Sequence, residues 1–346
     1  MIRKRLVTTF GALLIGGGGM AVEADITVFG HIDESVVAIN QDGGSDETGF
    51  LECTTCSIGF RGSEDLGNGL KAIFKLDFQY DINEVTSNGA FTDRDQWLGM
   101  ANSSGQVRVG TISTTYKSTG AMIDPIYRTS LQGRDRGLQS NMHTGAGSDG
   151  EGRAENTARY DSPSWNGLKV AATYTLVPDS NPSVGGQVND DNGYGGGISY
   201  ENAGILLFAD YITNNSGRDD DAYKFGGKYT FNNFAVFGQY EIDGGLITSK
   251  APDTSGDGAD TWLLGGTVTL GNNMLYLGYG RADGGDLLSD YYAWELVGTH
   301  AMSKRTKFYG GYSVIDCDDQ DTDVCSEVGP KAGEDEKFTL GIKHLF

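Results

Sequence analysis

Short stretches in which apolar and polar side chains alternate with a period of two recur along the whole chain, and no segment sustains the period of a helix. From Leu70, one face reads Leu70, Ala72, Phe74, Leu76, Phe78 and Tyr80, and the other reads Lys71, Ile73, Lys75, Asp77 and Gln79. From Ala222, Tyr223, Phe225, Tyr229 and Phe231 oppose Lys224, Lys228 and Thr230. At the end of the chain, Phe338, Leu340, Ile342, His344 and Phe346 oppose Lys337, Thr339, Gly341 and Lys343. Successive strand side chains point to opposite faces, so each stretch suits a wall that is oily on one side and wet on the other. A strand of this kind needs neighbours on both edges. Many in succession point to a closed sheet whose outside meets hydrocarbon.

Candidate strands begin near Ile26, Cys53, Leu70, Thr92, Gln106, Arg153, Leu168, Asn192, Ile205, Asp221, Phe234, Asp260, Met274, Ser289, Arg305 and Glu336, which makes sixteen. Tight turns at Asn102-Ser103-Ser104-Gly105, Glu201-Asn202-Ala203-Gly204, Asn232-Asn233 and Gly271-Asn272-Asn273 alternate with longer polar connections. An even strand count with alternating short and long connections is the pattern of a transmembrane barrel. The 53 glycines, 17 tyrosines and 15 phenylalanines agree with an aromatic-rich all-β fold. Aromatics gather toward strand ends, where interfacial girdles belong.

The start of the chain places it in an exported class. Arg3, Lys4 and Arg5 precede an apolar run from Leu6 to Ile15 and a small-residue stretch ending Val22-Glu23-Ala24. This reads as a signal peptide over residues 1–24, cut after Ala24 or Ala21, because the apolar run is too short to span about 30 Å of hydrocarbon. The barrel domain is then 25–346. The formal net charge is −21, and −23 once Arg3, Lys4, Arg5 and Glu23 leave with the leader. Acids crowd the long connections: Asp42, Asp46 and Glu47; Asp219, Asp220 and Asp221; Asp316, Asp318, Asp319, Asp321 and Asp323. Such a surface disfavours nucleic acid as a partner. It is expected to concentrate cations at the mouth over a Debye length of about 8 Å; alternatively the acids solvate the loops or hold divalent cations that bridge lipopolysaccharide.

Four cysteines in an exported chain point to disulfides. The local pairs Cys53–Cys56 and Cys317–Cys325 are the reading adopted, and crossed pairs between the two neighbouring loops remain open. The C-x-x-C spacing lacks the βαβ context of a redox motif, so no redox or metal role is assigned, and no cofactor is expected. The four histidines are His31, His143, His300 and His344. None accompanies a nucleophile elbow or a clustered metal set, so no catalysis is expected.

The chain resembles the general trimeric porins of Gram-negative outer membranes over essentially all of its mature length. The resemblance rests on Gly59 through Ala72, on Arg94 through Gly99 followed by Val107-Arg108-Val109-Gly110, on Arg153 through Tyr160 with Ser162-Pro163 and Asn166-Gly167, and on the terminal Phe346. It implies a 16-stranded antiparallel transmembrane β-barrel and a homotrimer in outer-membrane lipid and lipopolysaccharide. It also implies a terminal strand, ending on Phe346, that the barrel-assembly machinery recognises. Gly99, Ala101, Ala154 and Ala158 fall on the lipid-facing parity, where small residues suit close subunit packing.

The resemblance further implies that the third extracellular loop folds into the lumen. The longest connection, 116–152, has no strand pattern of its own, and loops of this length are commonly functional. By the family's motifs, the basic cluster of the wall falls on Arg61, Arg94 and Arg153, a family lysine falls at His31, and a family arginine falls at Ser57. Asp124 and Asp135 are the expected opposing carboxylates; the family's acidic motif at the loop tip is absent, and Arg134 and Arg136 stand nearby. The expected function is passive diffusion of small hydrophilic solutes and ions, with a weak preference for cations. The alternative is a substrate-specific channel for a sugar, phosphate or amino acid; the inward-parity aromatics Tyr276, Tyr291 and Tyr309 are scattered among strands rather than forming a track.

Overall fold

The computed structural model describes residues 25–42, 47–83, 91–140, 152–176, 192–213, 221–244, 246, 258–284, 290–317 and 333–346. In chain order the strands are β1 (Asp25–Gln41), β2 (Glu47–Cys53), β3 (Ser57–Gly67), β4 (Leu70–Gln79), β5 (Thr92–Asn102), β6 (Gly105–Ser113), β7 (Arg153–Asp161), β8 (Leu168–Thr175) and β9 (Gly193–Asn202). They continue as β10 (Ile205–Thr213), β11 (Asp221–Phe231), β12 (Phe234–Asp243), β13 (Asp260–Leu270), β14 (Asn273–Asp283), β15 (Tyr291–Ala301), β16 (Thr306–Cys317) and β17 (Glu334–Leu345).

Apart from β2 and β3, every strand pairs antiparallel with its sequence neighbour, and β17 closes the sheet on β1, with Val36 opposite Leu340 and His31 opposite Leu345. Both β2 and β3 pair with β1, one above the other. They are a single stave broken at Thr54-Thr55, where the Cys53–Cys56 disulfide, with Cα atoms 5.8 Å apart, spans the break. The seventeen segments therefore make a closed barrel of sixteen staves, as the alternation implies.

The period of two sorts side chains as expected. Val36, Leu51, Leu76, Leu98, Leu264, Leu277 and Leu340 are exposed on the outer wall, while Asp33, Asp77, Thr157, Lys224, Glu241, Glu295 and Thr339 are buried inside. The short turns use residues that tolerate the left-handed region: Asn68 and Gly69 have φ of +54° and +76°, and Asn166 and Gly167 have +53° and +95°. Such pairs match the right-handed twist of the strands they join. His300 and His344 are exposed near short-turn ends, bonded to Asn273 and Thr306 at 2.8 Å.

Three outward placements are revised. Gly99 and Ala101 of β5 alternate with the exposed Leu98 and Met100 and so face inward, because an extra residue at Arg94-Asp95 shifts the parity of that strand. Ala154 is the third. A register shift leaves Glu155 and Asn156 of β7 opposite the single residue Thr111, with Asn156 at φ +47°. The extra residue reverses parity beyond it, and Ala154 is buried rather than lipid-facing.

After β6 the chain turns into the barrel. Thr114 caps helix α1 (Thr115–Ile123), its hydroxyl accepting from Lys117 N at 3.2 Å, and the helix stops at Asp124-Pro125. Within the barrel, Tyr116 O accepts from Lys224 Nζ, and the Thr119 hydroxyl donates to the Asp210 carboxylate. The following segment lays Ile123, Ile126, Leu131 and Leu138 against the inward face of β10–β16, in one apolar cluster with Leu206, Phe208, Phe237, Leu263, Tyr276, Tyr291, Val297 and Ile315. The aromatics of inward parity thus support the loop. Gly278 and Gly311 make the sockets: a Cβ there would meet Leu138 Cδ1 at 3.2 Å and Leu131 Cδ1 at 2.9 Å. Each buried Leu or Ile contributes about 2 kcal/mol, so apolar burial sets where this loop lies.

Candidate pore constriction

On the opposite side of the lumen, the inward loop faces β4–β7 across charge. In most strand pairs one residue opposes one, but here Arg94 and Asp95 of β5 both oppose Asp77 of β4. This bulge turns two consecutive side chains inward instead of one. Lys75 Nζ lies 3.3 Å from Asp77 and 3.0 Å from Asp95. Arg94 Nε lies 3.4 Å from Asp77, and its Nη1 donates to Gln79 Oε1 at 2.7 Å. Arg153 Nε donates to Asp95 at 2.9 Å, and the Ser113 hydroxyl donates to the same oxygen at 2.7 Å. Of the expected wall cluster, Arg94 and Arg153 therefore belong to one ladder, joined through Lys75 and the two carboxylates.

His31 sits beside it. Its Nδ1 is 3.2 Å from the Ser57 hydroxyl and 3.4 Å from Arg128 Nη1, and its Nε2 is 3.4 Å from the Thr55 hydroxyl. Arg61 lies apart. It pairs with Thr27, four residues along the strand from Ser57 opposite His31, about 13 Å toward the short-turn end. There it is exposed, its guanidinium 5.4 Å from the centre of the Phe29 ring.

The loop presents cations as well as carboxylates. Arg128 and Arg134 lie over the Tyr127 ring, 5.6 and 5.4 Å from its centre. Asp135 is 3.6 Å from Arg134 and accepts from Gln132 Nε2 at 2.5 Å. Asp124 points into its own loop, accepting from Ile126 N at 2.9 Å and Gly133 N at 3.0 Å. Burial raises its affinity for a proton, against the pull of those two N–H groups. Lys117, almost fully buried, has its pKa pushed down to about 6, first by burial and then by Arg153, Arg134 and Arg94, against Asp95. Arg136 instead anchors the loop at the far wall, donating to Ser313 and Asp335, both at 2.5 Å.

Around the narrowing, Lys75, Arg94, Arg128, Arg134 and Arg153, with Lys117 beside them, outnumber Asp77, Asp95 and Asp135. Lys75, Asp77, Asp95 and Lys117 were not among the site residues singled out from the sequence. Lys75 and Asp77 had a usable signal in strand parity; Asp95 sits in a bulge that parity does not reveal, and Lys117 lies in a loop with no strand period. The Cys53–Cys56 bond stands in the wall beneath Asp33, whose N–H approaches Cys56 Sγ at 3.3 Å. Cys317 is disulfide-bonded, and Cys325 lies outside the described residues. So do His143 and the acids Asp46, Asp219, Asp220, Asp318, Asp319, Asp321 and Asp323. Among the described residues no three His, Cys, Asp or Glu side chains converge as metal ligands.

Comparison with known proteins agrees with this architecture. Residues 9–320 match a family model described as Gram-negative porin. Outer membrane porin protein 32 of Delftia acidovorans is 28% identical over 365 residues, spanning 100% of both chains. Major outer membrane protein P.IB of Neisseria meningitidis serogroup A is 30% identical over 203 residues, 57% of this chain and 56% of the relative. Among solved structures, an anion-selective porin from Comamonas acidovorans superposes with a TM-score of 0.76 at 24% identity, covering 94% of this chain and 100% of that one. Salmonella typhi OmpF superposes with a TM-score of 0.69 at 16% identity, covering 93% and 97%.

Proposed function

Because this chain belongs to the Gram-negative porin family and is an outer-membrane barrel, we propose that it conducts small hydrophilic solutes and ions by passive diffusion, with a constriction that prefers anions. The observation that carries the sign is the surplus of Lys75, Arg94, Arg128, Arg134 and Arg153 over Asp77, Asp95 and Asp135 where the loop meets the ladder. Charged side chains lining a narrow passage select by sign, and low-dielectric surroundings lengthen their reach.

This reverses the weak cation preference expected from net charge. A net of −21 is a property of the whole chain. Acids on long exposed loops are screened within about 8 Å at physiological salt, whereas a permeating ion must pass the constriction itself. The similar porin from Comamonas acidovorans is described as anion-selective, which supports the same sign here.

In this reading Arg94, Arg153, Arg128 and Arg134 set the field, Asp95 and Asp135 moderate it, and His31 is the wall contact of the loop. Asp124 serves the loop's shape, and Arg61 acts on the inner vestibule. The 1–24 segment is a leader that is removed. The barrel works as a homotrimer in lipid and lipopolysaccharide, inserted by the barrel-assembly machinery through its terminal strand. Ala158, exposed on the outer wall, suits the subunit contact. The test is single-channel recording of the purified protein with and without sugars, phosphate and amino acids. Large ohmic steps in threes, unblocked by any one solute, support a general porin; saturable block by one solute moves the assignment to a specific channel.

A further inference from the structure

The loop tip holds an arginine in a conformation that arginine does not favour. Arg128 has φ +61°, in the left-handed region, where a side chain other than glycine's is uncommon. Residues kept there persist only where their surroundings over-determine them. Within the loop, Arg128 N donates to Gln132 Oε1 at 3.0 Å, and the Thr129 hydroxyl donates to Ile126 O at 2.7 Å. Those contacts close the turn but do not fix it to the barrel. A contact that grips its backbone comes from the last strand. Lys343 Nζ donates to Tyr127 O at 2.6 Å and to Arg128 O at 3.0 Å, gripping consecutive carbonyls of the turn.

Lys343 is suited to this by its place in the sheet. It alternates inward between outward Ile342 and exposed His344, opposite Asp33 of β1 and Lys307 of β16. It is 8% exposed, so its ammonium is committed to the turn and not to bulk water. A buried ammonium needs its donors satisfied, and two carbonyls supply that. On the far side of the same turn, Arg128 Nη1 meets His31 Nδ1 at 3.4 Å, and Tyr127 carries the Arg128 and Arg134 guanidiniums. The turn is thus held from behind by Lys343 and presents its charge forward.

We propose that Lys343 is a positioning residue for ion selectivity: by clamping the carbonyls of Tyr127 and Arg128 it holds the Arg128 guanidinium at the narrowing. The proposal rests on the anion-preferring reading for the sign of the effect, but not for the existence of the coupling. Were Lys343 to act only through its own charge, its removal would shift selectivity by the same factor whether or not Arg128 were charged. A clamp makes the two effects non-additive.

The test is a cycle of wild type, K343M, R128Q and the double variant, each checked for a folded barrel by heat-modifiable gel mobility and read by reversal potential in a KCl gradient. K343M is expected to lower the chloride-to-potassium permeability ratio about threefold, R128Q by a similar factor, and K343M to add almost nothing in the R128Q background. K343R, which keeps both charge and donors, should restore most of the ratio. Equal factors in both backgrounds, or an unchanged ratio in folded K343M, would overturn the clamp. If K343M does not fold, K343L, likewise without donor or charge, is read in the same cycle with the same two outcomes. A wild type that prefers potassium would sink the anion reading alone, since non-additivity between positions 343 and 128 is measurable for either sign.

Discussion

The inward loop has two sides that obey different physics. Toward β10–β16 it is dry: Ile123, Ile126, Leu131 and Leu138 pack into one apolar cluster with wall residues, and glycines in the wall make room for them. Toward β4–β7 it is charged, with Arg128, Arg134 and Lys117 facing a ladder of Lys75, Asp77, Arg94, Asp95 and Arg153. Apolar burial is non-directional and grows with area, so it suits holding a segment of backbone in place. Charge is directional and sensitive to its surroundings, so it suits discrimination among solutes. Position and selectivity are therefore assigned to opposite faces of one segment, and substitutions should separate them.

The largest effect is expected on the dry side. Leu138→Ala removes a side chain that is 1% exposed and should weaken loop docking by about 3 kcal/mol, read as a lower thermal midpoint together with larger, noisier conductance. A conductance change at constant stability would contradict the division. Asp95→Asn tests the charged side where it is most connected. Asp95 joins Lys75, Arg153 and Ser113, so the change should cost about 2 kcal/mol and raise the chloride preference by leaving two cations less balanced. A shift toward potassium would reverse our charge assignment.

Arg128→Gln with Arg134→Gln should leave the thermal midpoint nearly unchanged while reducing the chloride preference about fivefold, a little under 1 kcal/mol for the pair. The pH dependence is a smaller effect. Lys117, held down to about 6 by burial and by Arg153, Arg134 and Arg94, is neutral above that pH and charged below it. Chloride preference should rise about twofold between pH 7.5 and 5, and Lys117→Met should flatten the rise. The linkage sign is fixed as well. In the unfolded chain this lysine would bind a proton that the folded chain rejects, so its contribution to stability grows as pH rises above about 6 and is lost below it. Smallest of all is Arg61→Gln: near the short-turn end and exposed, it should move the permeability ratio by only about a tenth.

The two sides were also unequally legible in the amino-acid sequence. The barrel can be read because its signal is local and repeated. A period of two is set by strand geometry, and the expected starts at Leu70, Thr92, Arg153, Leu168, Ile205, Asp221, Phe234 and Asp260 coincide with observed ones. Departures occur where one residue is inserted. The break at Thr54-Thr55, the bulge at Arg94-Asp95 and the bulge at Glu155-Asn156 each change a register without changing composition. Parity alone therefore places Arg94 inside but not Asp95, and misplaces Gly99, Ala101 and Ala154. The loop is harder still. Its inward course came from family resemblance, since its apolar residues Ile126, Leu131 and Leu138 follow no period and meet partners more than sixty residues away in sequence. Asp124 and Asp135 are both acids in a charged loop, yet one caps backbone N–H groups and the other pairs with Arg134. Nothing in residue type separates those environments.

The sign of the field at the narrowing is the centre of this account, because it sets local charge against the charge of the whole chain. Reversal potential across a planar bilayer in a KCl gradient at pH 7.5 measures it directly. Chloride more permeant than potassium is the expected result, and a potential of the opposite sign, with potassium the more permeant ion, would contradict it.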